Sequence, residues 1–453
     1  MEITIKYEDI YSKKSGLAKT IVEIKELNIE SELLISFRDI YNICKMQDQR
    51  VLELFLIASI CYSVDKLVQR TTGYDNWTRE LSLNIPVKKP EVWKNNATEL
   101  SKTLGFLSGD LWTFNFVNLE IDLFRKPKWR VCKNKYRIKQ TPNAVCLFSG
   151  GLDSLVGAIN LLTKDKKTHL ILVGHYDSSG AKAAQERLAS SILNKYEKRA
   201  IPLHIRVTDK TPANESTLRS RSFLFLALGI YIAHSYGEKI PLYAPENGLI
   251  ALNIPLTPSR IGSCSTRTMH PHYLKLFQGL LVNLGIQNKI INPFEFQTKG
   301  KFIKECLDYK LLETIYADSI SCSHPTRGRY WVRKNRDEVK NCGYCVPCLI
   351  RRAALNKAGL DNGLQYGFDI CNNEIDLNEK DIKTPNDLRA LLSFLSKNYG
   401  KIELKRLLLQ TTDINDLDKY VDTAFSGYNE LSDFFNEKGD DKIRQAIKKK
   451  AGL

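Results

Sequence analysis

The stretch Leu147-Phe148-Ser149-Gly150-Gly151-Leu152-Asp153-Ser154 decides how this sequence folds, because two different apolar patterns meet across its paired glycines. Before it, Ala144-Val145-Cys146-Leu147-Phe148 is a short unbroken apolar run suited to a buried strand. After it, Leu155 to Leu162 continues as a helix. The segment reads as strand, tight turn, helix. Glycines at 150 and 151 let the backbone take positive φ and approach a ligand closely, and the helix start offers unpaired N–H groups and a positive dipole end to phosphate. Ser149 and Ser154 add hydroxyl donors around Leu152. Asp153 repels phosphate as a direct partner, so it is expected to hold the loop or to help place Mg²⁺. The turn lacks the Gly-Lys-Ser/Thr ending of a Walker loop.

Outward from the turn, strands and helices alternate from Asn143 to about Leu360. Expected strands are 144–148, 169–174, 201–207 and 240–244, separated by helices over 153–163, 181–196 and 218–235. That order implies an α/β fold with a doubly wound, mostly parallel sheet, and the glycine turn falls at the carboxyl end of its first strand, where such sheets bind ligands. Residues 1–140 read as an accessory α+β domain: Glu2 to Tyr7 alternates like a strand, and Asp48 to Arg70 is a long helix with apolar Val51, Leu52, Phe55, Ile60, Val64 and Leu67. Residues 361–453 read as a helical extension, with a helix start at Thr384-Pro385-Asn386-Asp387 and Leu388, Leu391, Leu392 and Leu395 at helical spacing.

The 453 residues suffice for two or three domains, and 43% hydrophobic content is ordinary for a soluble globular protein. The most apolar stretch, Leu54 to Tyr62, is far shorter than the roughly 20 residues that span a bilayer. No membrane partner is expected. Met1-Glu2-Ile3-Thr4 reads as no secretory signal, so a cytoplasmic protein is expected. A formal charge of +16 suits an anionic partner such as a nucleotide, nucleic acid or acidic protein. Arg125 to Lys139 packs eight basic residues around Trp129 and Tyr136, a mix that can stack bases and neutralise phosphates. Its Lys128-Trp129-Arg130-Val131 core also alternates like a strand with a solvated face.

Cys342-Gly343-Tyr344-Cys345-Val346-Pro347-Cys348 sets three of the eleven cysteines at x₂ spacing, with Cys322 twenty residues upstream. Four thiolates at Cys322, Cys342, Cys345 and Cys348 satisfy tetrahedral Zn²⁺ as a closed structural site. His324 is an alternative fourth ligand, and an iron–sulfur cluster is chemically open. No cysteine is assigned as a nucleophile; Cys264, in a Ser-Cys-Ser setting, is an unassigned thiol.

The Ser-Gly-Gly-x-Asp-Ser turn resembles the pyrophosphate (PP) loop of the N-type ATP pyrophosphatases. Together with Cys…Cys-Gly-x-Cys-x-x-Cys it is similar to the 7-cyano-7-deazaguanine synthase family, QueC, whose fold is of the adenine nucleotide alpha hydrolase (HUP-like) type. Within 143–360 other segments agree. Leu218 to Leu226 resembles the family's Arg-Asn-x-x-Phe-Leu helix start, placing Arg221 at the family arginine and Ser222 where asparagine is usual. Asn292-Pro293-Phe294 followed by Gln297-Thr298-Lys299 resembles its Pro…Leu-Thr-Lys stretch. Gly174-His175-Tyr176-Asp177, ahead of Gln185-Glu186, is a looser match that puts His175 at the nucleotide.

Three features depart from the family: the added segments at both ends, Val346-Pro347 inside the cysteine knuckle, and Gly262 to Pro271 in place of an acidic, glycine-rich substrate loop. With them the chain is most similar to the QueC-like component of the Qat anti-phage defence systems. The resemblance implies an ATP-dependent adenylating enzyme with ATP, Mg²⁺ and Zn²⁺, a 7-deazaguanine carboxylate as the acid, and ammonia or an amine of a companion defence protein as the attacker. Arg221 and Lys299 would then neutralise phosphate or developing charge, and Asp153 would complete the catalytic set. Arg351 and Arg352 read either as part of that site or as a surface pair. Two other readings are a tRNA-modifying enzyme with the same loop and a non-catalytic nucleotide-binding scaffold.

Overall fold

The structure, a computed structural model, describes residues 1–448 except 14, 45–47, 127–139, 178, 198, 259–266, 324–327, 329–330, 334, 336–338, 373–376, 378–385 and 411–414. Most of the basic stretch ending at Lys139, Cys264 and His324 therefore lie outside the described residues. The chain forms two compact units. One comprises Met1–Ser149, Lys167–Ala244 and Thr266–Ile291; the other comprises Gly150–Lys166, Pro245–Ser265 and Asn292–Leu453. These units interleave along the chain, so the consecutive division at about 140 and 360 is a proposal about modules and not a description of these bodies.

In the first unit ten strands among the described residues form one sheet: β1 (Glu2–Tyr11), β2 (Ala18–Ile24), β3 (Ile29–Ile35), β4 (Glu80–Val87), β5 (Leu111–Asn118), β6 (Ala144–Leu147), β7 (Leu170–Tyr176), β8 (Ala200–Asp209), β9 (Leu242–Tyr243) and β10 (Ile290–Ile291). Their order is β10-β9-β6-β7-β8-β3-β2-β1-β4-β5. Pairs among β6 to β10 are all parallel, as are β1 with β4 and β4 with β5. Among the described strands, β1 with β2, β2 with β3, and β3 with β8 run antiparallel. The expected mostly parallel α/β sheet is present, and its first strand is buried throughout because the run Ala144 to Leu147 has no polar face to offer water.

The N-terminal strands continue the same sheet. The joint is β8, which pairs with β7 over Ala200–Arg206 and then overruns it, its last three residues Val207, Thr208 and Asp209 pairing with Ile35, Leu34 and Leu33. Such pairing between segments some 170 residues apart carries no local sequence signal.

The helix Gln49–Leu67 is buried on every side, including Glu53, Asp65 and Lys66. Its buried charges are matched. Arg79 Nη2 lies 2.6 Å from Asp65 and 2.7 Å from Asp110, and Arg70 Nη1 lies 3.0 Å from Asp110. Removing one member of such a group costs about 3–5 kcal/mol, since the remaining charge is stranded. Asp65 Oδ2 also accepts hydrogen bonds from the Ser220 amide and hydroxyl, both at 2.8 Å, and so fixes the entry to the helix Arg221–Tyr236. That helix starts at Arg221 and not at 218, because Leu218 takes a left-handed φ of 44° that a helix cannot include.

The second unit is helical. Leu152–Lys164, Gly248–Leu252, Lys299–Lys304, Tyr309–Ile315, Val346–Lys357, Asn386–Leu395, Lys401–Leu409, Leu417–Lys438 and Asp441–Lys448 are its α-helices among the described residues. Leu388, Leu391, Leu392 and Leu395 enter a core with Leu349, Leu404, Leu431 and Phe435, as their spacing predicted. No helix among the described residues is long and apolar enough to cross a membrane.

Candidate nucleotide site and metal centre

Within the second unit the glycine turn begins with Gly150 at φ 83°, a left-handed conformation that favours glycine. Gly151, also expected at positive φ, is instead extended at φ −86° and ψ 165°, because it is the cap residue of Leu152–Lys164. Its carbonyl accepts from the Leu155 amide at 3.1 Å and from the Ser154 hydroxyl at 3.0 Å. The turn is clamped from outside as well. The Gly150 carbonyl accepts from the Ile320 amide at 2.9 Å, and the Leu152 amide donates to Ser321 Oγ at 3.4 Å.

Asp153, in the first helical turn where its charge suits the dipole, is held on two sides. Its Oδ1 is 2.7 Å from Lys299 Nζ, and its Oδ2 accepts from the Asn247 amide at 3.0 Å and Nδ2 at 2.8 Å. The Lys299 side chain is 2% exposed, so its charge is balanced by Asp153 inside the protein. Asn247 also caps Gly248–Leu252, accepting from the Ile250 amide at 3.0 Å. The structure thus brings together two sequence-predicted residues, Asp153 and Lys299. It adds Asn247, which the sequence reading missed; the Asn-Gly pair ahead of an apolar run was the available cue.

In the first unit, Gln185 ties the ends of two neighbouring strands: its Nε2 donates to the Ser149 carbonyl at 3.3 Å and to the His175 carbonyl at 3.1 Å, while its Oε1 meets His204 Nδ1 at 3.0 Å. His175, at the end of β7, is buried, with its ring edge-on to Tyr62 at 5.3 Å. Burial and then the Arg221 charge push its pKa down to about 3, so it is a neutral imidazole at pH 7. Tyr62 donates to Asp177 Oδ2 at 3.0 Å. Burial works against the Asp177 carboxylate, yet Arg221, His175 and the Tyr62 hydroxyl together hold it below its usual range. Arg221 and His175 therefore share one electrostatic neighbourhood, with Asp177 as the counter-charge. Tyr62 had no signal beyond its place in an apolar helix.

The four cysteines converge. Their sulfurs all lie within 4.8 Å of one another, with Cys342 and Cys348 3.7 Å apart and Cys345 and Cys322 4.0 Å apart. Tetrahedral Zn²⁺ with Zn–S near 2.3 Å requires edges of about 3.8 Å, so the donor set fits zinc. Backbone amides donate to the sulfurs and stabilise them as thiolates: Cys342 to Cys322 Sγ and Cys345 to Cys342 Sγ at 3.4 Å, and Ser323 to Cys345 Sγ at 3.5 Å. Gly343 turns the knuckle at φ 94°, where a Cβ would sit 2.2 Å from the Phe368 carbonyl oxygen. Hydrogen bonds from Cys342, Cys345 and Cys348 lower the Cys322 thiol, while burial pushes Cys342 and Cys348 up. Four thiolates gathered this closely, three of them buried, need a cation to coexist.

Arg351 and Arg352 are not a surface pair; both are buried. Arg352 is paired with Asp361 at 2.9 Å and Asp369 at 2.7 Å. Arg351 donates to Ser319 Oγ at 2.6 Å and to the Tyr316 carbonyl at 2.9 Å, and Asn341, beside Cys342, accepts the Ser321 amide at 2.9 Å. The cysteine centre thereby carries the 319–321 segment that clamps the glycine turn.

Two known proteins match this chain, each described as a 7-cyano-7-deazaguanine synthase. The one from Rickettsia canadensis (strain McKiel) is 30% identical over 102 residues, 21% of this chain and 39% of that protein. The one from Erythrobacter litoralis (strain HTCC2594) is 25% identical over 250 residues, 50% of this chain and 93% of that protein. The chain thus spans about two fifths of the first relative and nearly all of the second, and it is a distant relative of both. No family model and no solved structure matches.

Proposed function

We propose that the chain is an ATP-dependent adenylating ligase of the 7-cyano-7-deazaguanine synthase type, acting in the cytoplasm as the QatC component of a Qat anti-phage defence system. The triphosphate lies on the Ser149 to Ser154 turn, with Mg²⁺ as its counter-ion. Gly150 and Gly151 let the backbone close on phosphate, and the start of Leu152–Lys164 offers its amides. Lys299 and Arg221 neutralise charge on the phosphates, and Asp153 keeps Lys299 oriented. His175 stays neutral and lies near the nucleotide. Zinc on Cys322, Cys342, Cys345 and Cys348 supplies structural rigidity.

The reaction is two displacements. A carboxylate oxygen of a 7-deazaguanine acid attacks the α-phosphorus and pyrophosphate leaves, giving an acyl-adenylate. An amine then attacks the acyl carbon and AMP leaves, the amine losing a proton. With ammonia the product is an amide on the way to the nitrile; with an amine of a companion protein it is a nucleobase–protein conjugate. The chain's share is positioning and charge balance.

The observation that supports the reading most is the Asp153–Lys299 pair at 2.7 Å, its lysine buried and its carboxylate in the first turn after a left-handed Gly150. The test is AMP and pyrophosphate release from ATP with a 7-deazaguanine carboxylate, with Asp153→Ala as control; the expected loss is at least about 100-fold. Absence of release with every acid tried leaves the scaffold reading. The net charge of +16 favours a second reading, tRNA modification, which salt-sensitive recovery of bulk tRNA in a pulldown would support over a companion protein gaining the mass of a deazaguanine.

A further inference from the structure

Both supports of Asp153 rest against one helix, Leu417–Lys438. The first is Lys299. Glu430 is buried, and its two carboxylate oxygens accept from the Thr298 hydroxyl and, at 3.2 Å, from the Gly300 amide. These donors flank Lys299, so the carboxylate straddles the residue whose ammonium reaches Asp153. The approach is close enough that a Cβ at Gly300 would lie 2.8–2.9 Å from the Glu430 carboxyl group. Lys357 Nζ completes the cluster at 2.9 Å.

The second support is Asn247, the cap of Gly248–Leu252. A Cβ at Gly248 would meet the Thr423 methyl at 2.6 Å, and one at Gly427 would meet Leu249 Cδ2 at 2.8 Å. Positions 423, 427 and 430 follow i, i+4, i+7 spacing and so form one face of the helix.

We infer that the helix Leu417–Lys438 positions both partners of Asp153, and that Glu430 is a positioning residue for Lys299. The added helical segment is then part of the frame of the site. For its catalytic meaning this rests on the function proposed above, but the geometry is testable without nucleotide. Full-length protein is treated with acetic anhydride, and labelling of each lysine is read by peptide mass spectrometry. Lys66, buried in the first unit 3.7 Å from Asp209, is the unfolding control.

In Glu430→Ala, Lys299 labelling is expected to rise about tenfold with Lys66 unchanged, because the flanking backbone opens locally. Glu430→Gln, which keeps an acceptor for the Thr298 hydroxyl, is expected in between. Should Glu430→Ala not fold, Glu430→Gln and Gly427→Ala carry the comparison. Lys299 as protected as in the parent, or labelled only in step with Lys66, overturns the inference. Lys299 unmasked as expected in a protein that never turns over ATP would sink the enzyme reading and leave the positioning role standing.

Discussion

Gly150 and Gly151 are indistinguishable as letters, yet their backbones differ: φ is 83° at the first and −86° at the second. A Cβ in the left-handed region costs about 1–2 kcal/mol, whereas the extended region admits any residue. Gly150→Ala is therefore expected to lower the urea-unfolding free energy by about that amount, with Gly151→Ala losing about 0.5 kcal/mol or a little more from the poorer cap. If Gly151→Ala then weakens ATP binding, the cause is blocked approach of the ligand, and equal destabilisation by the two would refute the assigned backbone. The turn and the four cysteines were legible because their signals are local, whereas Lys299 was reached only through a family resemblance. Asn247 and Glu430 were not legible, since their partners lie 94 and 130 to 132 residues away in sequence and an isolated Asn or Glu advertises nothing.

At the level of elements, the segment Ser319 to Ser321 links the cysteine centre to the glycine turn. Arg351 and Asn341 hold it from one side, and it clamps Gly150 and Leu152 on the other. We expect one zinc per chain by elemental mass spectrometry. Chelating it should speed hydrogen exchange of the 150–154 amides about tenfold or more, because local opening releases their outside clamp. Unchanged exchange in zinc-free protein would show that the clamp stands without metal. The α/β alternation was readable from apolar runs broken by turn residues, and the expected strands and helices over 144–236 are present within a few residues. The helix boundary at Arg221 was not readable, because it depends on the left-handed Leu218 and on Asp65, which caps from far upstream.

Across the whole molecule, burial keeps His175 and His270 neutral among the described residues. His175 and His270 are each pushed from 6.5 to about 3, desolvation leading and Arg221 or Arg267 adding to it. Below the unfolded value the denatured chain takes up protons that the native one refuses. Stability is therefore complete above about pH 6.5 and drains away as pH falls toward 3, at up to about 1.4 kcal/mol per pH unit for each histidine. His175→Gln should flatten the slope of urea-unfolding free energy between about pH 6.5 and 4; an unaltered slope would mean that the imidazole is solvated. The helix Gln49–Leu67 draws a different consequence. Its residues are enclosed on all sides, and it docks against Arg221–Tyr236 while β3 meets β8 through only three residue pairs. A gene fragment beginning at residue 141 would strip away that enclosing partner and leave an oily scar where it had lain. We therefore expect residues 143–360, whose motifs resemble the synthase family, not to fold as a detachable cassette, a point that the solubility and circular dichroism of such a fragment would check.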